Sequence, residues 1–199
     1  MSSPPGSREK ILQCAKELFY QVGYQSTSVD DILRQCGVAK SNFYYHFKTK
    51  EQLAFEVLEL RIAELEAVLL RSLRNREMPP AERLRAFFAD IQQAQEEIAK
   101  RGGCPFGNFA AALPNTEGDA RYERFRLRLS QLFRRLEDAM TDCLAEGVAQ
   151  GQFRSDIAPS QMAAFLVAAL QGLLILTKTH RDTAPLVNGL SVAERLLRA

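Results

Sequence analysis

Residues 28 to 45 hold two short helical segments, separated by a turn that begins at Gly37. Ser28 precedes Val29-Asp30-Asp31. This is a serine N-cap with an acid at the third helical position, close to a capping box. The segment ends at Cys36-Gly37, and the next runs only from about Lys40 to Tyr45. Helices below ~12 residues are marginal in water. Both segments must therefore be held by neighbouring helices, with Gly37 supplying the angle between them. A helix from about Ser7 to Val22, ended by Gly23, lies before them. A long helix from about Thr49 to Arg74 lies after, capped by Thr49. This order of parts constrains residues 1–50 to a three-helix unit with a helix-turn-helix.

The remainder is helical in pattern, and strand signals are almost missing. Breaks at Met78-Pro79-Pro80, Arg101-Gly102-Gly103 and Pro114-Asn115 divide it. The predicted helices span about Pro80 to Lys100, Pro105 to Leu113, Gly118 to Gln150, Ser160 to Lys178 and Ala184 to Leu197. The long helix from Gly118 carries Tyr122, Phe125, Leu129, Leu132, Phe133, Leu136 and Met140 at spacings of three and four. The expected fold class is all-α with about nine helices. The N-terminal unit (1–50) is followed by a larger helical regulatory and dimerisation domain (51–199).

The chain's net charge is +2, so no global basic signature is present. Locally the balance differs. Residues 1–50 carry seven Lys/Arg against four acids, and Lys40, Lys48 and Lys50 have no acid between them. A basic edge of this kind suits a phosphate backbone. Cys14, Cys36, Cys104 and Cys143 make no CxxC or zinc pattern, so neither a metal nor a cofactor is expected. The N-terminal MSSPPGS reads as a polar tail and not a leader, so a cytoplasmic chain with reduced thiols is expected. The apolar run from Met162 to Leu176 is interrupted by Gln171 and is expected to be too short to span a bilayer.

The stretch from Phe19 to Leu53 resembles the N-terminal domain of TetR-type transcriptional regulators. The matching parts are Phe19-Tyr20-Gln21-Val22-Gly23-Tyr24, then Thr27-Ser28-Val29-Asp30-Asp31-Ile32. The third is Gly37-Val38-Ala39-Lys40-Ser41-Asn42-Phe43-Tyr44-Tyr45-His46-Phe47, continuing as Lys48-Thr49-Lys50-Glu51-Gln52-Leu53. The resemblance implies a DNA-binding regulator, a repressor and not an enzyme, acting on double-stranded DNA. Lys40, Ser41 and Asn42 open the recognition helix and face base edges in the major groove. Tyr44, Tyr45 and His46 match positions that touch backbone or base, whereas Phe43 and Phe47 suit the core. Lys50, at the start of the next helix, suits a phosphate. Thr27 and Ser28, at the other helix N-terminus, suit a second phosphate clamp.

The resemblance further implies a homodimer on a symmetric operator, joined through the last two long helices, and a small-molecule inducer. Candidate pocket residues are Phe87, Phe88, Ile91, Phe106, Phe109, Phe125, Leu129, Phe133 and Phe165. One smaller motif, Gly102-Gly103-Cys104-Pro105-Phe106-Gly107-Asn108, resembles the Gly-Cys-x-x-Gly-Asn signature of a TetR subgroup. Pro105 suits the first position of a helix, which puts Cys104 at its N-cap, where a thiolate is favoured. Lys178 is the candidate partner of this redox sensor, with a structural turn as the alternative for Cys104. The other three cysteines fit as inert filling. Two other classes are compatible with the residues: an all-helical thiol enzyme using Cys104, and a helical ligand-binding module without DNA affinity.

Overall fold

The computed structural model describes residues 6–98, 103–113 and 119–198. Among them are nine helices and one isolated β-bridge, between Phe153 and Arg198. The helices are α1 (Ser7–Gln21), α2 (Val29–Cys36), α3 (Lys40–His46), α4 (Lys50–Arg71) and α5 (Pro80–Ile98). They continue as α6 (Pro105–Ala112), α7 (Ala120–Ala149), α8 (Pro159–His180) and α9 (Ala184–Leu197). The all-α expectation holds. The expected end of the fifth helix at Lys100, the stop at Pro114-Asn115 and the start at Gly118 lie outside the described residues.

The chain forms two compact units. One comprises residues 1–62 and 105–127, and the other 63–104 and 128–199. α4 and α7 each run from one unit into the other, so packing does not divide the chain at residue 50. In the first unit, α1 buries Ile11, Leu12, Ala15 and Phe19, its apolar face at helical spacing. α3 contributes Phe43, and Phe47 follows it; both are fully buried, as are Leu53, Ala54 and Leu58 of α4. The seven-residue α3 is therefore held by α1 and α2 packing around Phe43.

The second unit has one continuous core. It draws Leu69 and Leu73 from α4 and the chain after it, Leu84, Phe87 and Phe88 from α5, and Met140, Cys143 and Leu144 from α7. Met162, Leu166, Val167, Leu170 and Leu174 come from α8, and Leu186 and Leu190 from α9. α8 is longer than its apolar run suggested. At 22 residues it is long and apolar enough to cross a membrane, which corrects the expectation from length. Here seven of its residues are buried and it packs along α9.

Candidate nucleic-acid interface

The reader is built from local hydrogen bonds. The Ser28 hydroxyl accepts from the Asp31 N–H at 3.1 Å, and the Asp31 carboxylate accepts from the Ser28 N–H at 3.0 Å, a complete capping box. The Ser28 hydroxyl also donates to Asp31 Oδ2 at 2.6 Å. These bonds hold the Asp31 carboxyl below its usual range, with Arg34 adding to the effect. Gly37 ends α2 at φ 65°, ψ 30°, a left-handed turn that suits glycine. The chain then enters α3 without a side-chain cap at Ala39.

Burial of Phe43 sets the rotation of α3. Lys40, Ser41 and Asn42 are exposed, and so are Tyr44 (49%) and Tyr45 (80%). Two large aromatics thus stand open on one short helix. His46 is half-buried, its ring edge-on to Tyr45 at 4.9 Å. Lys40 pairs with Asp30 at 3.0 Å, and that hydrogen bond and charge raise its pKa, so the ammonium stays protonated. Both partners are well exposed, so water screens the pair and it does little for stability.

A second reach of donors opens α4. The Thr49 hydroxyl accepts from the Gln52 N–H at 3.1 Å, and Gln52 Oε1 accepts from the Lys48 N–H at 3.0 Å. Lys50, the first residue of the helix, is half-buried, with Nζ 4.4 Å from the centre of the Tyr24 ring. Burial lowers its pKa.

One expected contact changes character. Thr27 is only 2% exposed, and its hydroxyl donates inward to the Gly23 carbonyl at 2.8 Å. It closes the loop from α1 to α2, so its side chain does not face a phosphate. The loop must reverse direction within a few residues, and its carbonyls need a donor.

The candidate pocket residues fall in both units. Phe106, Phe109 and Phe125 belong to the reader's unit, where Phe109 and Phe125 stack at 6.2 Å and meet Phe19 and Tyr24. Phe87, Phe88 and Leu129 are buried in the other unit, and Ile91 and Phe133 pack partly buried against its core. Phe165 departs from expectation: it is 63% exposed on α8, so it lines no pocket in this chain. Surface grooves of about 450 Å³ beside Thr27 and Asp31, and about 390 Å³ beside Arg85 and Glu194, are lined by other residues.

Cys104 is half-buried and immediately precedes Pro105, the first residue of α6. Its neighbour Gly103 has φ 64°, and a Cβ there would lie 3.3 Å from Cβ and Cδ of Lys178. The stem of Lys178 therefore crosses the residue next to Cys104. Gln95 donates to the Gly103 carbonyl at 3.3 Å. Cys14 and Cys143 have their thiols pushed up to about 11, mainly by burial, with Cys36 adding to the effect at Cys14.

The sequence reading missed Tyr24 as a structural partner of Lys50. It was present only as the aromatic after Gly23. Arg8 was missed as well; its guanidinium lies 5.5 Å from the centre of the Phe47 ring and pairs with Glu56, tying α1 to α4.

Comparison with known proteins agrees with this geometry. Residues 11–57 match the family model "Bacterial regulatory proteins, tetR family". Residues 80–191 match "Tetracyclin repressor-like, C-terminal domain". The HTH-type transcriptional repressor DhaR of Mycobacterium sp. (strain GP1) is 31% identical over 185 residues, covering 93% of this chain and 89% of that protein. The regulator QacR of Staphylococcus aureus is 47% identical over 53 residues, covering 27% of this chain and 28% of that protein. The crystal structure of a TetR-family regulator from Agrobacterium tumefaciens superposes with a TM-score of 0.86 at 25% identity. It covers 96% of this chain and 97% of that one. An exposed recognition helix on a capped helix-turn-helix, with both family regions matched along the chain, shows that this protein belongs to the TetR family of DNA-binding transcriptional regulators.

Proposed function

We propose that the chain is a cytoplasmic homodimeric repressor, released from a symmetric operator by a small apolar inducer or by modification of Cys104. The observation that carries the DNA reading is the outward face of α3. Lys40, Ser41, Asn42, Tyr44 and Tyr45 are all exposed there while Phe43 anchors the opposite side. Lys40 to Asn42 read base edges. Tyr44, Tyr45 and His46 contact backbone or base, and Ser28 and Lys50 grip phosphates at two helix N-termini.

TetR-family regulators act as dimers, and two half-sites one helical turn apart require two readers. The surface of the second unit supports α8 and α9 as the interface. α8 exposes Ala164, Phe165, Ala168, Gly172, Ile175 and Leu176 at helical spacing, and α9 exposes Val187, Val192 and Leu196. A continuous apolar stripe with a glycine at its centre suits close, self-complementary packing. Phe165 then serves the dimer and not a pocket.

The sensor reading rests on Cys104 standing before α6 with Lys178 passing over Gly103. A helix N-terminus favours thiolate, the form that attacks electrophiles.

DNA binding is tested by fluorescence anisotropy across a salt series. Replacing Lys50 with Ala should lower the slope of log K against log salt by ~0.9 per reader. A wild-type protein with no salt-dependent DNA binding would refute the proposal. For the sensor, a mild electrophile should release wild-type protein from DNA and leave Cys104→Ser bound. Equal release from both would remove Cys104 from the mechanism.

A further inference from the structure

Tyr24 follows the glycine that ends α1 and is buried. Its ring is fixed by three others in the same unit: Phe19 edge-on at 5.4 Å, Phe109 at 6.2 Å and Phe125 at 6.3 Å. Its hydroxyl donates to Glu51 Oε1 at 3.4 Å. Over this ring stands the Lys50 ammonium, 4.4 Å from the centroid.

A lysine head on a four-carbon stem samples many rotamers when unconstrained. The negative face of an aromatic ring attracts an ammonium, the more so when water is partly excluded. Lys50 is therefore gathered to one place at the start of α4 before DNA arrives. The ordering that binding would otherwise require has already occurred on folding.

Part of the platform comes from far along the chain. Phe109 sits on α6 and Phe125 near the start of α7. Gln25, the residue after Tyr24, donates from Nε2 to the Ala112 carbonyl at the end of α6, at 2.8 Å. α6 is thus docked on the reader at two adjacent residues, and it begins one residue after Cys104.

We propose that Tyr24 is the positioning residue for the Lys50 phosphate clamp, and that docking of α6 on Tyr24 and Gln25 holds it in that position. This rests on the reading of Lys50 as a phosphate contact. Displacement of α6 withdraws Phe109 from the ring and breaks the Gln25 bond. Tyr24 then keeps Phe19 and Phe125 but loses one wall of its seat, and the ammonium is held less firmly in place. The grip on the backbone weakens while α3 itself is unchanged.

The test is a double-mutant cycle in the full-length protein, with a mixed-sequence DNA duplex as probe, since phosphate contacts do not depend on sequence. Tyr24→Leu should raise Kd about 2- to 5-fold per reader and flatten the salt slope. Tyr24→Phe, which keeps the ring and loses only the hydroxyl, should restore most of both. In a Lys50→Ala background, Tyr24→Leu should have no further effect, because its partner is gone. Should Tyr24→Leu not fold, Phe109→Leu takes its place in the cycle with the same expected pattern. An equal loss in both backgrounds, or no loss in the wild-type background, overturns the positioning role. A Lys50→Ala protein with unchanged affinity and salt slope overturns the phosphate reading of Lys50, and this inference with it. The two failures are therefore distinguishable.

Discussion

Gly147 provides a test in which local propensity and packing give opposite signs. It lies in the last turns of α7, where alanine is a better helix former than glycine by about 1 kcal/mol. On that basis Gly147→Ala stabilises. The tertiary structure reverses this. A Cβ at Gly147 would fall 2.1 Å from Cδ2 and 2.3 Å from Cε2 of Phe153. The ring is 5% exposed and belongs to the core of the second unit. Its backbone is also tied down: the Gln152 N–H donates to the Gly147 carbonyl at 2.8 Å, and the Arg154 N–H donates to the Leu197 carbonyl at 2.9 Å. The ring has two ways to give. A strained local shift costs about 1–3 kcal/mol. Expulsion of the ring resembles loss of a core phenylalanine, about 3–5 kcal/mol. After the helix gain is deducted, these become about 0–2 and about 2–4 kcal/mol. The expected outcome is destabilisation by about 2 kcal/mol, seen as a Tm lower by about 4–8 °C for a chain of this size. The measurement is thermal and urea unfolding at fixed protomer concentration, since association shifts the midpoint. Adding Phe153→Leu should cost less in the Gly147→Ala protein than in wild type. An unchanged or raised midpoint for Gly147→Ala would refute the packing argument.

Ser28→Ala removes the α2 cap and should destabilise the protein by about 1 kcal/mol in urea unfolding. The Asp31 carboxyl titrates lower in the folded chain than its ordinary 3.8, so its contribution is fully present above that value and fades as pH falls through the lowered one. The wild-type advantage over Ser28→Ala should therefore shrink below about pH 4, and an advantage independent of pH would contradict the capping account. With thiols near 11, Cys14 and Cys143 expose about one thiolate in a thousand at pH 8, so mass-spectrometric alkylation should label them more slowly than Cys104. Rapid labelling of Cys143 in the folded protein would refute its burial. Gly172 has open space around its Cα in the single chain, so Gly172→Leu should leave the fold intact and shift the protein toward monomer in sedimentation. An unchanged dimer would place the interface elsewhere.

The helices, the capping box and the Gly37 turn were legible in the sequence because their causes are local. A cap joins residues three apart, and a buried face repeats every three or four. The same locality explains why Phe43 and Phe47 were correctly placed inside and Lys40 to Asn42 outside. Periodicity says that a face is covered, and it does not say by what. α8 is apolar on nearly every side, so nothing in its spacing told Phe165 to face outward. Helical spacing in α6 and α7 could not reveal that Phe109 and Phe125 would join Phe19 and Tyr24 in the reader's own unit.

Thr27 shows the same limit within a few residues. Its type suits a phosphate contact, and only the path of the loop aims its hydroxyl at Gly23. By itself, then, the sequence determined the class of this protein and the inventory of its reader. Tertiary structure alone decided which residues support that inventory, setting Tyr24 beneath Lys50 and Lys178 beside Gly103. Those contacts join residues 26 and 75 positions apart, and no short-range pattern encodes a meeting that only the packing of whole helices brings about.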